Sequence, residues 1–150
     1  MMAKVGFTCG SFDLCHYGHI LMFKECRDQC DHLIVGLQTN PNTDRPDKNV
    51  PIQSLEERHG QLEAIKYIDD VVVYETEDDL VELLKNIQTD LMDSKDSFVR
   101  YVGADWINRK YTGWDLDIPV MFNSREHSFS TSELRQRIFI SEQKKLKKTS

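Results

Sequence analysis

The chain has 150 residues and a formal net charge of −6, with 39% of its residues hydrophobic and 29% charged. This length suffices for one domain with a buried core, and the negative charge argues against general nucleic-acid binding. No apolar run approaches the roughly 20 residues that a transmembrane helix needs, and no basic segment followed by an apolar stretch indicates a signal peptide. We therefore expect a single-domain cytoplasmic protein without nucleic-acid or membrane partners.

All four cysteines lie within the first thirty residues: Cys9, Cys15, Cys26 and Cys30. Their spacing fits no common zinc pattern, and a reducing cytoplasm disfavours disulfides. Cys26 and Cys30 are one helical turn apart, which would allow a shared ligand, but packing is the simpler explanation. We interpret all four as structural and expect the protein to hold no metal by itself.

A strand followed by a helix is predicted at the start of the chain. Residues 4–8 form a short apolar run typical of a buried strand, Gly10 interrupts it, and apolar residues at helical spacing follow from Gly18. His16 and His19 therefore lie where a turn meets a helix N-terminus, and the free N–H groups and dipole of such an end attract anions. The glycines would let a phosphate approach the backbone closely.

The string Gly-Ser-Phe-Asp-Leu-Cys-His-Tyr-Gly-His over residues 10–19 resembles the first signature of the nucleotidyltransferases that include the cytidylyltransferases. Two histidines three residues apart are common, whereas the whole string placed after a strand is far more specific. The resemblance implies that His16 and His19 hold the α-phosphate of a nucleoside triphosphate. The residues around them are candidates for the nucleotide site: Thr8, Cys9, Gly10, Ser11, Phe12, Asp13 and Gly18.

Residues 32–38 are an apolar stretch typical of a central parallel strand. The polar segment after it, residues 39–50, is long for a connection, and long loops are often functional. Its cations Arg45 and Lys48 either keep the surface soluble or belong to a flexible arm that closes over phosphates. The family has a triphosphate-binding lysine in this loop, and by order along the chain the resemblance gives that role to Lys48.

A capping box of Ser54 and Glu57 predicts the start of the next helix. Apolar residues recur along one face of that helix: Leu55, Leu62, Ile65 and Ile68. Arg58 lies in its first turns. The resemblance implies that Glu57-Arg58 corresponds to a pair that supports the active site, and the alternative is a plain surface arginine.

The middle of the chain continues the alternation of strands and helices. Residues 71–74 are mostly β-branched and suit a strand, and apolar residues over 80–87 have the three- and four-residue spacing of an amphipathic helix. We interpret the polar residues 89–97 as a connection that carries an insertion relative to the family. Residues 98–102 and 118–122 predict the fourth and fifth strands.

The fourth strand ends in Gly103-Ala104-Asp105-Trp106, which resembles the Gly-x-Asp-Trp of glycerol-3-phosphate cytidylyltransferases. A residue at the carboxyl end of a parallel strand faces the ligand crevice. We therefore place Gly103, Asp105 and Trp106 in the nucleotide site, where Asp105 would bind a base amine or a ribose hydroxyl and Trp106 would flank the base or only pack. Adenylyltransferases of similar length usually differ here, so the turn favours cytidine.

Residues 125–132 resemble the second signature of the family, Arg-Thr-Glu-Gly-Ile-Ser-Thr-Thr, and match it at Arg125, Ser130 and Thr131. Ser130 and Glu133 also form a capping box, which predicts a second helix N-terminus suited to anions. Arg125 adds a guanidinium fork for phosphate oxygens. The helix end provides three candidate ligands: Ser130, Thr131 and Ser132.

Positions 126–128, here Glu-His-Ser, depart from the Thr-Glu-Gly of the family. This departure puts in question which substrate accepts the transferred nucleotidyl group, more than it does the transfer reaction itself. His127 either touches the ligand or is exposed to solvent, and we expect its side chain to be exposed.

Residues 133–148 predict a terminal helix whose Leu134 and Ile138 face inward, with a solvated basic tail. Strand and helix signals alternate along the whole chain. They predict an α/β fold, a Rossmann-like, doubly wound parallel sheet of about five strands with helices on both faces. Both signatures would meet at the carboxyl edge of that sheet.

The resemblance implies transfer of a cytidylyl group from CTP to a phosphorylated alcohol, with release of pyrophosphate and with glycerol 3-phosphate favoured among ethanolamine, choline and sugar phosphates. The acceptor phosphate attacks the α-phosphorus in line, so catalysis is positioning and charge stabilisation. The expected catalytic residues are His16, His19, Lys48 and Arg125, with Arg58 supporting them.

Magnesium is the expected cofactor, bound mainly through the nucleotide phosphates. Asp13 could reach that ion through water, but we expect it to brace the turn. The resemblance also implies a homodimer. Two other functions stay open: an adenylyltransferase that makes an ADP-sugar or a cofactor from ATP, and a nucleotide-binding module without catalysis.

Overall fold

The structure, a computed structural model, describes residues 2–149. Its strands are β1 (Lys4–Gly10), β2 (His32–Gln38), β3 (Asp70–Tyr74), β4 (Ser97–Gly103) and β5 (Val120–Asn123). Its helices are α1 (Tyr17–Asp28), α2 (Leu55–Glu63), α3 (Glu77–Met92) and α4 (Thr131–Thr149). Short 3₁₀ turns lie at Pro41–Thr43 and Ala104–Trp106.

All neighbouring strands pair in parallel, in the order β3-β2-β1-β4-β5. In the central strand β1, Phe7 lies opposite Ile34 of β2 and Arg100 of β4. The chain winds outward from β1 through β2 and β3, then crosses to β4 on the other side, so the winding direction reverses beside β1. Ligands bind at such a switch point, beyond the carboxyl ends of the strands. The predicted five-stranded parallel α/β fold is confirmed.

An apolar core lies on each face of the sheet, because successive side chains of a strand point to opposite faces. The first core joins α1 and α2 to the sheet and includes Phe12, Phe23, Cys26, Leu33, Leu62 and Tyr101. The second core joins α3 to the other face and includes Val5, Phe7, Tyr74, Leu80, Leu84 and Phe98. Helices therefore cover both faces, as the alternating pattern predicts. The free thiols of Cys26 and Cys30 pack in the first core.

Helix α2 begins at the predicted capping box. The Glu57 N–H donates to Ser54 Oγ, and the Ser54 N–H donates to Glu57 Oε1, each at 3.1 Å. The helix ends at Glu63, earlier than the apolar spacing indicates. Ile65 and Ile68 lie in the turns that follow, yet their side chains still pack against the first core.

Two other predicted boundaries are also wrong. Helix α3 continues through residues 89–92, because a polar last turn can be exposed to water without loss of its backbone hydrogen bonds. Strand β5 begins at Val120 rather than at 118. The Pro119 carbonyl accepts the Arg100 N–H at 2.8 Å, but proline has no N–H with which to extend the ladder, and Ile118 is buried in the second core.

The prediction for the terminal helix is wrong for Ile138, which is 47% exposed, whereas Leu134 is half-buried. Among the described residues of α4, partial burial is confined to its first two turns and none is fully buried. No helix in the described part of the chain is long and apolar enough to span a membrane.

Candidate active site

A cleft of about 550 Å³ opens at the carboxyl edge of the sheet, over the switch point. This volume is typical of a site for a small molecule. The candidate residues from the sequence line this cleft, apart from Phe12, Asp13 and Arg58. Those that line it are Thr8, Cys9, Gly10, Ser11, His16, Gly18, His19, Lys48, Gly103, Asp105, Trp106, Arg125, Ser130, Thr131 and Ser132.

His16 and His19 together cap the N-terminus of α1. His16 Nδ1 accepts the Gly18 N–H at 3.0 Å, and His19 Nδ1 accepts the His16 N–H at 3.2 Å. Two imidazoles thus take the places that a hydroxyl and a carboxylate usually have in a capping box. The two rings stack with their centroids 3.9 Å apart.

These caps determine where the two rings carry their protons. A nitrogen that accepts a backbone N–H is unprotonated, so each neutral ring has its proton on Nε2. Burial, with the neighbouring His16 second, lowers the pKa of His19 to about 3. Burial also lowers the pKa of His16, and the nearby His127 and Arg125 add to that effect. Both rings are therefore neutral Nε2–H donors at neutral pH, suited to phosphate oxygens.

A third imidazole, His127, lies beside this pair. Its Nδ1 accepts the Phe129 N–H at 3.1 Å, so its neutral ring also carries the proton on Nε2. A Cβ on Gly18 would lie 2.7 Å from His127 Cε1 and 2.8 Å from His16 Cε1, so glycine is what lets both rings approach α1. The expectation of a solvent-exposed His127 is wrong, because the ring is half-buried and lines the cleft.

The N-terminus of α4 adjoins the histidine pair. His16 Nε2 lies 3.2 Å from Thr131 Oγ1, and Ser130 Oγ caps the helix by accepting the backbone N–H three residues later at 3.1 Å. Glu25 of α1 holds the segment that leads into α4, since its carboxylate accepts the N–H and the hydroxyl of Ser124 at 2.8 and 2.9 Å. Two helix N-termini, both favourable to anions, thus open into one cleft.

Arg125 and Asp105 form an ion pair at the rim of the cleft, with Nη1 and Oδ2 2.9 Å apart. Both side chains are largely exposed, so the pair contributes little to stability. Asp105, which the sequence assigns to a base or ribose contact, is thus paired with Arg125, which the sequence assigns to phosphate. Beside them, the Arg109 guanidinium lies over the Trp106 ring, 5.2 Å from its centroid.

A smaller cavity of about 160 Å³ adjoins the cleft between the 39–50 loop and the start of α4. Lys48, Arg135 and Asp13 line it, so its lining carries a net positive charge. The buried Asp13 carboxylate accepts the N–H groups of residues 52–53 at 2.9 Å each and lies 3.7 Å from the Arg135 guanidinium. Asp13 therefore ties the turn after β1 to the end of the loop.

The 39–50 loop is anchored to the start of α3. Asp44 Oδ2 accepts the Glu77 N–H at 2.5 Å, and Arg45 Nη2 lies 2.9 Å from Glu77 Oε1. Asn42 Nδ2 donates to the Lys48 carbonyl at 2.7 Å. The loop thus presents the exposed Lys48 side chain from a held backbone.

Phe12 and Arg58 lie beneath the cleft. Phe12 is buried in the first core and packs edge-on against His19, with ring centroids 5.5 Å apart. Arg58 is 2% exposed, so its interpretation as a surface arginine is wrong. Its guanidinium donates to four backbone carbonyls, those of Ser11, Gln38, Thr39 and Gln53.

Much of the α3 side of the cleft was not predicted from the sequence, and Arg100 is the most informative of these residues. Its side chain is almost fully buried in the middle of β4. The available signal was a charge inside the run Phe-Val-Arg-Tyr-Val, because a strand covered on both faces is normally apolar. Other lining residues that were missed are Met22, Gln38, Tyr74, Glu77, Tyr111 and Asn123.

Within residues 2–149, no group of three or more His, Cys, Asp or Glu side chains is placed to hold a metal ion. A magnesium ion at this site would thus take its ligands mainly from the phosphates of a nucleotide. That arrangement is common for magnesium, which keeps several waters and needs few protein carboxylates.

The family model described as cytidylyltransferase-like matches residues 7–137 of the chain. Among curated proteins, the bifunctional protein HldE of Campylobacter jejuni is 31% identical over 136 residues, which cover 90% of this chain and 28% of the relative. HldE of Caulobacter vibrioides is 37% identical over 114 residues, which cover 75% of this chain and 22% of the relative. The chain thus spans about a quarter of the length of these relatives.

The solved structures that are similar to the chain include the following two. The lipopolysaccharide core biosynthesis protein of Thermoplasma volcanium aligns with a TM-score of 0.58 and 19% identity, over 83% of this chain and 99% of that one. The bifunctional NMN adenylyltransferase/ADP ribose pyrophosphatase of Francisella tularensis aligns with a TM-score of 0.58 and 19% identity, over 91% of this chain and 41% of that one. At this level of identity the likeness establishes the fold alone.

Proposed function

Because this chain belongs to the cytidylyltransferase-like family, a family of nucleotidyltransferases, we propose that it transfers the cytidylyl group of CTP to the phosphate of a phosphorylated alcohol. The products are a CDP-alcohol and pyrophosphate. An oxygen of the acceptor phosphate forms the new bond to the α-phosphorus, the bond from that phosphorus to the oxygen bridging it to the β-phosphorus breaks, and pyrophosphate leaves with the electron pair. The protein supplies no nucleophile.

The observation that best supports this proposal is that three imidazoles and a helix N-terminus line one cleft. His16, His19 and His127 each hold Nδ1 in a backbone hydrogen bond and keep a proton on Nε2. His16 Nε2 also reaches the first residue of α4, Thr131. Donors fixed before the substrate arrives stabilise the charge that develops on the α-phosphoryl oxygens without reorganising during the reaction.

The leaving pyrophosphate would lie along the start of α4. Lys48 and Arg135 line the small basic cavity there, and Arg125 lies at the rim of the adjoining cleft. Ser130, Thr131 and Ser132 add hydroxyls and free N–H groups at the helix end. In this proposal a magnesium ion bridges the nucleotide phosphates and neutralises part of their charge.

CTP is the donor that we favour, because the turn at residues 103–106 has the Gly-x-Asp-Trp pattern described above. The second candidate donor is ATP, since one solved structure with this fold is described as an NMN adenylyltransferase. Glycerol 3-phosphate is the first acceptor to test. Ethanolamine phosphate, choline phosphate and sugar phosphates complete the panel.

The test is pyrophosphate release in the presence of magnesium, with CTP and ATP each crossed against that panel. We expect release with CTP and one phosphorylated alcohol, and none without acceptor. Release with ATP alone would assign adenylyl transfer instead. If the nucleotides raise the melting temperature but no pair reacts, the chain is a binding module and the proposal is wrong. Sedimentation of the same sample tests the implied homodimer.

A further inference from the structure

The α3 side of the cleft contains a buried cation without an anionic partner. Arg100 is 4% exposed, and within residues 2–149 no carboxylate lies at ion-pair distance from it. Its Nη1 donates to the Thr112 carbonyl, Nη2 lies 3.9 Å from Cys9 Sγ, and Nε has no partner. The Tyr111 ring covers the guanidinium, with its centroid 5.1 Å from Arg100 Cζ. Buried charges in proteins are normally paired, so this one lacks its counterion.

A second guanidinium lines the same side of the cleft. Arg45 Nη2 pairs with Glu77 Oε1 at 2.9 Å, while its buried Nε has no hydrogen-bond partner. We call the region around Cys9, Arg45, Glu77, Arg100 and Tyr111 the far lobe. It contains two guanidinium groups and one carboxylate, so its net charge of +1 favours an anion.

The far lobe and the histidines lie over opposite faces of the sheet. Side chains alternate along β4, so Arg100 points to the face of Phe98, in the second core beneath α3. The histidines cap α1, which covers the first core. The start of α4, where the leaving pyrophosphate would lie, adjoins His16, whereas Arg100 belongs to the opposite face of the sheet. In-line transfer requires the attacking and leaving oxygens on opposite sides of the α-phosphorus.

We propose that the far lobe is the subsite for the acceptor, in which Arg100 and Arg45 bind the dianion of a phosphomonoester. The planar fork of Arg100 suits two non-attacking oxygens of one phosphate. The third oxygen then faces the α-phosphorus held by the histidines. The identity of this ligand as the acceptor rests on the proposed function, whereas the anion site itself does not.

The first test compares Arg100→Met, which keeps a side chain of similar length without charge, with Arg27→Met. Arg27 pairs with Asp69 and lies in the last turn of α1, away from the cleft. We expect Arg100→Met to raise the KM for the acceptor at least about 30-fold and to change the KM for the nucleotide by less than about 3-fold. An unchanged acceptor KM, or an equal rise in both KM values, would overturn the proposal.

The second test needs no turnover and uses inorganic phosphate as the probe, with the melting temperature as the readout. Phosphate should raise the melting temperature of the wild type and of Arg27→Met, and Arg100→Met should lose at least about half of that shift. A full shift in Arg100→Met would overturn the anion site. If no substrate pair reacts but the shift is lost, the proposed function fails and the anion site stands.

Discussion

His19 Nδ1 accepts the backbone N–H of His16 at 3.2 Å, and the two rings stack 3.9 Å apart. The hydrogen bond that caps α1 is therefore the one that orients the His19 ring. The first turn of α1 and the orientation of the His19 ring thus depend on the same hydrogen bond. A substitution that tests the chemistry must keep the cap and remove only the donor.

His16→Asn meets that requirement, because asparagine is a preferred N-cap residue but has no group at the position of Nε2. We expect it to lower kcat for pyrophosphate release at least about 100-fold. Its free energy of unfolding in urea should stay within about 0.5 kcal/mol of the wild type. His16→Ala loses the cap as well and should cost about 1 kcal/mol more. Wild-type turnover in the asparagine variant would exclude a role for Nε2.

The depressed pKa of His19 predicts a loss of stability in acid. The folded protein holds this ring neutral down to pH about 3, whereas the unfolded chain protonates it near the ordinary value of 6.5. Between these values the unfolded state binds the extra proton, so the free energy of unfolding falls as the pH drops, by up to about 1.4 kcal/mol per pH unit.

Urea unfolding at pH 7 and pH 5 checks this expectation against His19→Gln, which keeps an acceptor for the His16 N–H but does not titrate. From pH 7 to pH 5 the wild type should lose about 2 kcal/mol more than the variant. Equal losses in the two proteins would mean that His19 titrates normally in the folded state.

Gly18→Ala should damage the site without unfolding the protein. The new Cβ would lie 2.7 Å from His127 Cε1 and 2.8 Å from His16 Cε1, so both rings must move. We expect pyrophosphate release to fall at least about 10-fold, since a small misplacement of phosphate donors is costly. Gly60→Ala in α2 is the matched control, because no heavy atom lies within 4 Å of its new Cβ. That control should keep its activity and gain about 0.5–1 kcal/mol in stability.

The parts of the site that the sequence predicted are those encoded over short stretches of chain. The spacing of His16 and His19 and the cap at Ser130 are local patterns, and each is also a hydrogen bond in the structure. Parallel strands then bring the two stretches to one edge of the sheet, as the alternation of strands and helices implies.

The parts that it did not predict depend on contacts between distant segments. The burial of Arg58 follows from carbonyls such as that of Ser11, 47 residues away along the chain. The position of His127 depends on the space above Gly18. The exposure of Ile138 shows the same limit, because an apolar residue at helical spacing does not reveal whether another element lies against it.

Arg58 provides the last prediction, since it joins the turn after β1 to the loop after β2. Its Nη1 and Nη2 donate to the carbonyls of Gln38 and Thr39, each at 2.6 Å. Arg58→Met would leave these buried carbonyls without donors, and we expect a loss of about 3 kcal/mol in the free energy of unfolding in urea.

The matched control is Arg137→Met, because Arg137 is exposed on α4 and pairs only with Glu133 among the described residues. Its free energy of unfolding should change by less than about 0.5 kcal/mol. Since the backbone that Arg58 holds continues into the loop that carries Lys48, Arg58→Met should also raise the KM for the nucleotide. If Arg58→Met is as stable as the control and its KM for the nucleotide is unchanged, the four contacts of Arg58 with backbone carbonyls neither stabilise the fold nor position the loop.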